Sequence, residues 1–329
     1  MANPLKDECK EMAMRILVVG AGATGGYFGG RLAAAGRDVT FLVREGRARA
    51  LARDGLVIRS PHAGDLTLAG VNTVQAGDAA RAGAFDLVFL SCKAYGLDDA
   101  IDSFAPFVGP DTLILPVLNG MRHLDVLQAR FGRERVLGGL CMIASTLDAG
   151  QRIVHLNDSQ AVGFGDLAGG MPARVRAITE TFSGAGFDVL PSDDIVARMW
   201  DKWTFLATLA AATTLMRASI GDILAAPDGR QLLEALYAET GAIAAHHGYP
   251  PPAATHERSR RILFTPSAMT ASMLRDVENR SRVEADHVIG DLLARAPSEP
   301  GTGGLSLLRV AYNHLKAYEA RGARESASA

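Results

Sequence analysis

Arg15–Gly36 reads RILVVGAGATGGYFGGRLAAAG. Its first six residues, Arg15–Gly20, form a short apolar strand; a glycine-rich turn follows, then a helical stretch from Tyr27 to Ala35 that stops at Gly36. In this strand-to-helix context Gly20-Ala21-Gly22-Ala23-Thr24-Gly25 reads as a dinucleotide-binding turn rather than a bare glycine pattern. Gly20 permits the tight turn, Gly22 lets backbone N–H groups approach a pyrophosphate, and Gly25 lets the helix sit close against the strand. The helix N-terminus adds partial positive charge for the phosphates.

The alternation continues outward. Asp38–Arg44 is a second strand, DLVFLS at Asp86–Ser91 a third and TLILPV at Thr112–Val117 a fourth. Apolar strand runs separated by helical segments predict a parallel sheet covered on both faces. Leu56–Val74 breaks the pattern with Gly55, Pro61, Gly64 and Gly70 and reads as an inserted hairpin or meander. RIVHLNDSQAVGFG at Arg152–Gly165 reads as outer strands of the same sheet. From Pro191 onward the pattern is helical, punctuated by Pro250, Pro251, Pro252, Pro266 and the PSEPGTGG segment at Pro297–Gly304. The expected architecture is α/β: an N-terminal Rossmann domain with a mostly parallel sheet over residues 15–190, followed by an all-α C-terminal domain over residues 191–321 for substrate and dimer contacts. Residues 1–14 lack the continuous apolar core of a secretory signal and are expected as a flexible extension, and 322–329 as a disordered tail.

Composition narrows the function classes. Two domains are the expectation for 329 residues. Lys+Arg at 34 against Asp+Glu at 36 gives a formal charge of -2, so no global field draws the chain onto nucleic acid or an anionic membrane. The longest uncharged apolar run, Trp203–Met216, is shorter than the ~20 residues of a membrane-spanning helix and reads as a buried helix. Cys9, Cys92 and Cys141 have no metal-ligand spacing and suit a reducing cytoplasm, with no structural disulfide expected and no metal.

Cofactor choice turns on the end of the second strand, where an acidic residue binds ribose hydroxyls and an arginine accepts a 2′-phosphate. Arg44 stands there, which points to NADPH, although a solvated strand-end charge is the alternative and Glu45 is adjacent. A helical second half argues against FAD. Open parallel sheets bind ligands at the carboxyl ends of their strands, where Lys93 and Asn119 fall. On the residues alone, a surface lysine and an Asn-Gly turn are the better account of these two.

The chain resembles the ketopantoate reductase (2-dehydropantoate 2-reductase) family. The resemblance is carried by GAGATGGYFGGRLAAAGRDVTFLVR at 20–44, SCKAY at 91–95, LNG at 118–120, WDKW at 200–203 and ASMLRDVENRSRVEADHVIG at 271–290. It implies that Lys202 is the general acid, that Glu284 lies at the reacting centre and cofactor, and that Ser272 holds the substrate carboxylate. Lys93 and Asn119 then serve both cofactor and substrate. It also implies a homodimer and a place in pantothenate biosynthesis. Read without the resemblance, Lys202 opens an otherwise apolar helix, where a partly desolvated ammonium suits proton transfer but a cation snorkelling at the helix rim is the simpler account.

Family members place asparagines four and eight residues after that lysine, and this chain has Leu206 and Ala210. The loss of two polar groups is expected to alter substrate choice more than hydride chemistry. Thr208, Thr213 and Thr214 are the nearby hydroxyls that could compensate. The resulting expectation is NADPH-dependent reduction of 2-dehydropantoate to pantoate, with a different 2-oxo acid or an imine as the rival substrate. A non-catalytic NADPH-binding regulator is the rival from another class, told apart by NADPH binding without turnover.

Overall fold

The computed structural model describes residues 13–297 and 305–327. Strands β1 (Ile16–Val19), β2 (Val39–Leu42), β3 (Leu56–Arg59), β4 (Leu66–Leu68), β5 (Asn72–Val74), β6 (Phe85–Leu90), β7 (Val108–Pro116), β8 (Leu137–Leu147), β9 (Ile153–Asp166) and β10 (Asp188–Pro191) all precede residue 192. Helices α1 (Ala23–Ala34), α2 (Glu45–Asp54), α3 (Ala79–Ala82), α4 (Leu97–Phe104), α5 (Arg122–Phe131) and α6 (Ala173–Phe182) are interspersed with them. After them, among the described residues, come only helices: α7 (Ile195–Met216), α8 (Ile220–Ala225), α9 (Gly229–His246), α10 (Ala253–Leu263), α11 (Ser272–Glu278), a π-helical turn at Asp286–Gly290, α12 (Asp291–Ala294) and α13 (Leu307–Ala327).

The first sheet is wholly parallel in the order β5-β2-β1-β6-β7. Its central strand shows why the apolar run has no gaps. Ile16 and Val18 enter one core with α1 residues Tyr27 and Phe28, whereas Leu17 and Val19 enter a second core on the other face. That second core continues without interruption through Leu118 and Leu140 into Trp203, Ala207 and Leu236, so the sheet and the helical half are packed on one another.

Two sequence expectations for this half change. Leu56–Val74 does contain a hairpin, β3 with β4, but its last residues form β5 and return to the parallel sheet beside β2. Arg152–Gly165 does not extend that sheet. It forms most of β9 in a second sheet, ordered β10-β9-β3-β4 with β8 antiparallel to β9. Periodicity identifies a strand but not its partner, and these pairings join distant segments. The two sheets meet where β8 runs hard against β7, close enough that a side chain at Gly139 would collide with the Pro116 carbonyl.

In the helical half α7 is central, packed against α9, α11 and α13. Asp194 caps its start by accepting the Ala197 N–H at 3.1 Å. Thr204, Thr208, Thr213 and Thr214 are fully buried and each donates to the carbonyl four residues back, which satisfies their hydroxyls inside an apolar helix. The expected disordered tail from residue 322 is instead helical through Ala327, since its Ala, Arg and Glu residues favour helix and Arg321 pairs with Glu325 one turn on at 2.6 Å. Most of the expected N-terminal extension, the PSEPGTGG segment beyond Pro297, and Cys9 lie outside the described residues. Cys92 and Cys141 are free thiols. Among the described residues no helix is long and apolar enough to cross a membrane.

Candidate functional site

The carboxyl ends of the parallel strands and the cleft-facing side of α7 bound a cleft of about 1670 Å³. The glycine turn forms one end. Gly20 has φ +88°, a left-handed value that suits glycine, and its N–H donates to the Leu42 carbonyl at 2.9 Å. Gly22 is the N-cap of α1 with open space around its Cα, and Gly20, Gly22, Ala23 and Thr24 line the cleft. The helix begins at Ala23, about one turn earlier than the sequence suggested, which points its free N–H groups into the opening. Ala21 and Gly25 do not line the cleft. They build the turn from beneath: Ala21 accepts a bond from Arg47, and Gly25 lies against Ser91 and Val18.

Arg44 caps α2 at the end of β2 and lines the cleft. Its side chain is 89% exposed and only 3.6 Å from an equally exposed Asp99, a pairing weak enough for an anionic ligand to replace. Glu45 is tied to Arg49. Arg47, three residues after Arg44, clamps the site: its guanidinium donates to the Ala21 carbonyl at 3.2 Å and to the Gln151 side chain at 3.0 Å, and burial lowers its pKa.

At the middle of the cleft residues from three segments converge. Lys202 on α7 donates to Asn119 Oδ1 at 3.0 Å and, among the described residues, has no carboxylate within ion-pair distance. Glu284, 8% exposed, accepts the Ala94 N–H at 2.8 Å with one oxygen and meets Lys93 Nζ at 3.4 Å with the other. Lys93 also meets Asp276 at 3.0 Å. Burial works against the Lys93 ammonium, but Glu284 and Asp276 outweigh it and raise its pKa. Lys93 is therefore paired with two carboxylates of the helical half while it lines the cleft. Ser272 opens α11 and lines the same cleft. Lys93, Asn119, Lys202, Ser272 and Glu284 are all brought together.

Their placement rests on one backbone feature that the sequence did not reveal. The π-helical turn that follows Glu284 receives two docking contacts. Gly120, with φ +75°, lies so near the His287 carbonyl that a Cβ there would stand 2.5 Å from it. Trp203, beside Lys202, donates its indole N–H to the Val288 carbonyl at 2.8 Å. The neighbours of Asn119 and Lys202 thus press on the turn that carries Glu284. Beneath it His123 is fully buried beside His287, and burial, with the His287 and Lys202 charges, depresses its pKa to about 3. Burial pushes the Cys92 thiol up to about 12, which removes it as a thiolate nucleophile.

Part of the remaining wall is apolar. Phe205, Leu206 and Leu209 face the cleft from α7, and Ile262 and Met269 from the segments after it. Ala210 is 1% exposed and absent from the lining, and Thr208, Thr213 and Thr214 point into the helix packing, so none of them replaces a lost polar group. Arg275 is a residue the sequence reading missed. It lies three residues after Ser272 on α11, lines the cleft, and its guanidinium has no ion-pair or hydrogen-bond partner among the described residues. Its spacing from Ser272 was the available signal.

Comparison with known proteins adds an independent line. Residues 16–169 match the family described as Ketopantoate reductase PanE/ApbA, and residues 194–317 match Ketopantoate reductase PanE/ApbA C terminal. An uncharacterized oxidoreductase of Bacillus subtilis, YkpB, is 41% identical over 312 residues, which cover 93% of this chain and 99% of that one. A 2-dehydropantoate 2-reductase of Mesorhizobium japonicum is 28% identical over 297 residues, 84% of this chain and 89% of that one. The crystal structure of 2-dehydropantoate 2-reductase from Geobacter metallireducens aligns with a TM-score of 0.82 at 26% identity, over 92% of this chain and 99% of that chain.

Proposed function

Because this chain belongs to the ketopantoate reductase family, we propose that it reduces a 2-oxo acid to the 2-hydroxy acid with NADPH and that Lys202 is the proton donor. The single observation that carries this reading is the Lys202 ammonium, held by Asn119 at 3.0 Å in the cleft that the glycine turn opens into. The residues present suit the cofactor: a glycine turn with room for a pyrophosphate, a helix N-terminus behind it, and Arg44 for a 2′-phosphate. When bound, NADPH supplies a hydride to the carbonyl carbon of the substrate.

The chain's own residues do the rest. As the C=O π electrons move onto oxygen, Lys202 passes a proton to that oxygen and is left neutral until solvent recharges it. Asn119 fixes the direction of the ammonium, which limits the geometries open to it. Glu284 binds the Ala94 N–H and Lys93, and so holds the Rossmann strand end against the helical half beside the reacting centre. Ser272 offers a hydroxyl for the substrate carboxylate.

The relatives' names supply 2-dehydropantoate, and with it pantothenate biosynthesis, as one substrate reading. A different 2-oxo acid, or an imine formed from one, is the second, favoured by Leu206 in the cleft wall. A homodimer and a cytoplasmic location accompany the proposal, and light scattering checks the first. Following absorbance at the nicotinamide band with a panel of 2-oxo acids tests the reaction. Lys202→Ala is expected to cut kcat by roughly 10²–10⁴ while NADPH still binds; full activity in that variant would remove Lys202 from its role, and binding with no turnover on any 2-oxo acid or imine would favour a regulator.

A further inference from the structure

We infer that the substrate is a monocarboxylic 2-oxo acid whose side chain is apolar, with its carboxylate held by Arg275 beside Ser272 and its side chain against Phe205, Leu206 and Leu209. This rests on the reductase reading above and narrows it. Two observations carry it separately.

The first concerns charge. Of the cations lining the cleft, Arg44 and Arg47 stand by the glycine turn, Arg198 and Arg258 lie on α7 and α10, Lys93 is engaged by Asp276 and Glu284, and Lys202 is held by Asn119 for the carbonyl oxygen. Arg275 is half-buried and unpaired among the described residues, and it shares a helix face with Ser272. A guanidinium fork matches a carboxylate in two parallel hydrogen bonds, and the neighbouring hydroxyl adds a third donor.

The second concerns the wall. On α7, positions 205, 206 and 209 follow Lys202 on the cleft side, and all three are apolar. Every threonine hydroxyl of that helix is already bonded to its own backbone. Ile262 and Met269 add to this apolar patch, while Thr255, which also lines the cleft, already donates to Asp201 at 3.3 Å. A hydroxyl on a substrate side chain set against Phe205, Leu206 and Leu209 would leave water for side chains that offer it no partner, and that loss counts against the hydroxylated acid. A methyl group in its place gains from the same surface.

The reaction balances for either substrate: hydride forms the new C–H bond at C2, the carbonyl oxygen takes a proton from Lys202, and NADPH is oxidised to NADP. The test compares two acids that differ by one hydroxyl, 4-hydroxy-3,3-dimethyl-2-oxobutanoate (2-dehydropantoate) and 3,3-dimethyl-2-oxobutanoate, with the full-length enzyme and NADPH. The deoxy acid is expected to have a kcat/KM about 10- to 100-fold higher. Leu206→Asn should shrink that ratio, and Arg275→Gln should raise KM for both acids with little change in NADPH affinity. Equal or better use of the hydroxylated acid by the unmodified enzyme overturns the apolar-wall inference and leaves the reductase reading standing. Unchanged KM values in Arg275→Gln overturn the carboxylate anchor. If no 2-oxo acid is reduced although NADPH binds, the reductase reading fails and takes this inference with it.

Discussion

Replacing Gly25 and Gly22 separately with alanine should divide the glycine turn's structural task from its binding task. At Gly25 an added Cβ would meet the Ser91 hydroxyl, stand 2.6 Å from the Gly20 carbonyl oxygen and 3.3 Å from Val18 Cγ1. Ser91 can rotate away, but the Gly20 carbonyl is backbone in the turn itself. α1 must therefore lift from β1, and overpacking of this kind costs about 1–3 kcal/mol. At about 2–4 °C per kcal/mol for a domain of this size, Gly25→Ala should lower Tm by roughly 2–12 °C. At Gly22 nothing lies within 4 Å and φ is -82°, so alanine fits the free protein and Tm should not change. Its methyl group would, however, occupy the space through which the backbone meets a pyrophosphate, and NADPH affinity should fall by about tenfold or more. Differential scanning calorimetry and calorimetric NADPH titration on the two variants provide the readout. An unaltered Tm in Gly25→Ala, or wild-type NADPH affinity in Gly22→Ala, would refute the division of labour.

Arg44→Ala should leave Tm unchanged, because its exposed pair with Asp99 contributes little, yet raise KM for NADPH by roughly tenfold relative to NADH; equal effects on both cofactors would count against a 2′-phosphate contact. Trp203→Phe leaves the Val288 carbonyl without its 2.8 Å donor at a buried site, so unfolding free energy should drop by about 1–3 kcal/mol and kcat should fall more than NADPH affinity. His123 has a folded pKa of about 3 against 6.5 for the free side chain, so between those values only the unfolded chain binds the proton. Its contribution is complete above pH 6.5 and erodes toward pH 3 by up to about 1.4 kcal/mol per pH unit; urea titrations across that range should show a shallower acid loss in His123→Phe.

Much of this molecule was legible in its sequence, for a physical reason. β1, β6 and β7 are buried on both faces, so their apolar runs are continuous, and the turn after β1 needs glycine where φ is positive or where α1 approaches closely. Lys202, Glu284 and Ser272 were found by resemblance, and all three line the cleft. What stayed hidden was partnership. β9 reads as a strand, but nothing in its pattern states that it pairs with β8 and β3 instead of the parallel sheet. Thr208, Thr213 and Thr214 looked available until their hydroxyls were found turned back on α7. Arg275 became visible once the structure placed it in the cleft lining three residues after Ser272.

The same pairings bear on how selectivity arises here. The cleft is lined by Arg44, Arg47, Lys93, Arg198, Lys202, Arg258 and Arg275 against Glu45, Asp99, Asp201 and Glu284, an excess of positive charge. An anionic substrate therefore enters a cleft of opposite sign. That sign is already fixed in the protein, since Lys93, Glu284, Gly120 and Trp203 lock the two halves together before any substrate arrives. With charge and geometry set in this way, the side-chain wall at Leu206 is the part of the site left to discriminate among monocarboxylic 2-oxo acids. Substitutions there should change the order of preferred substrates, whereas substitutions at the lock should slow all of them together.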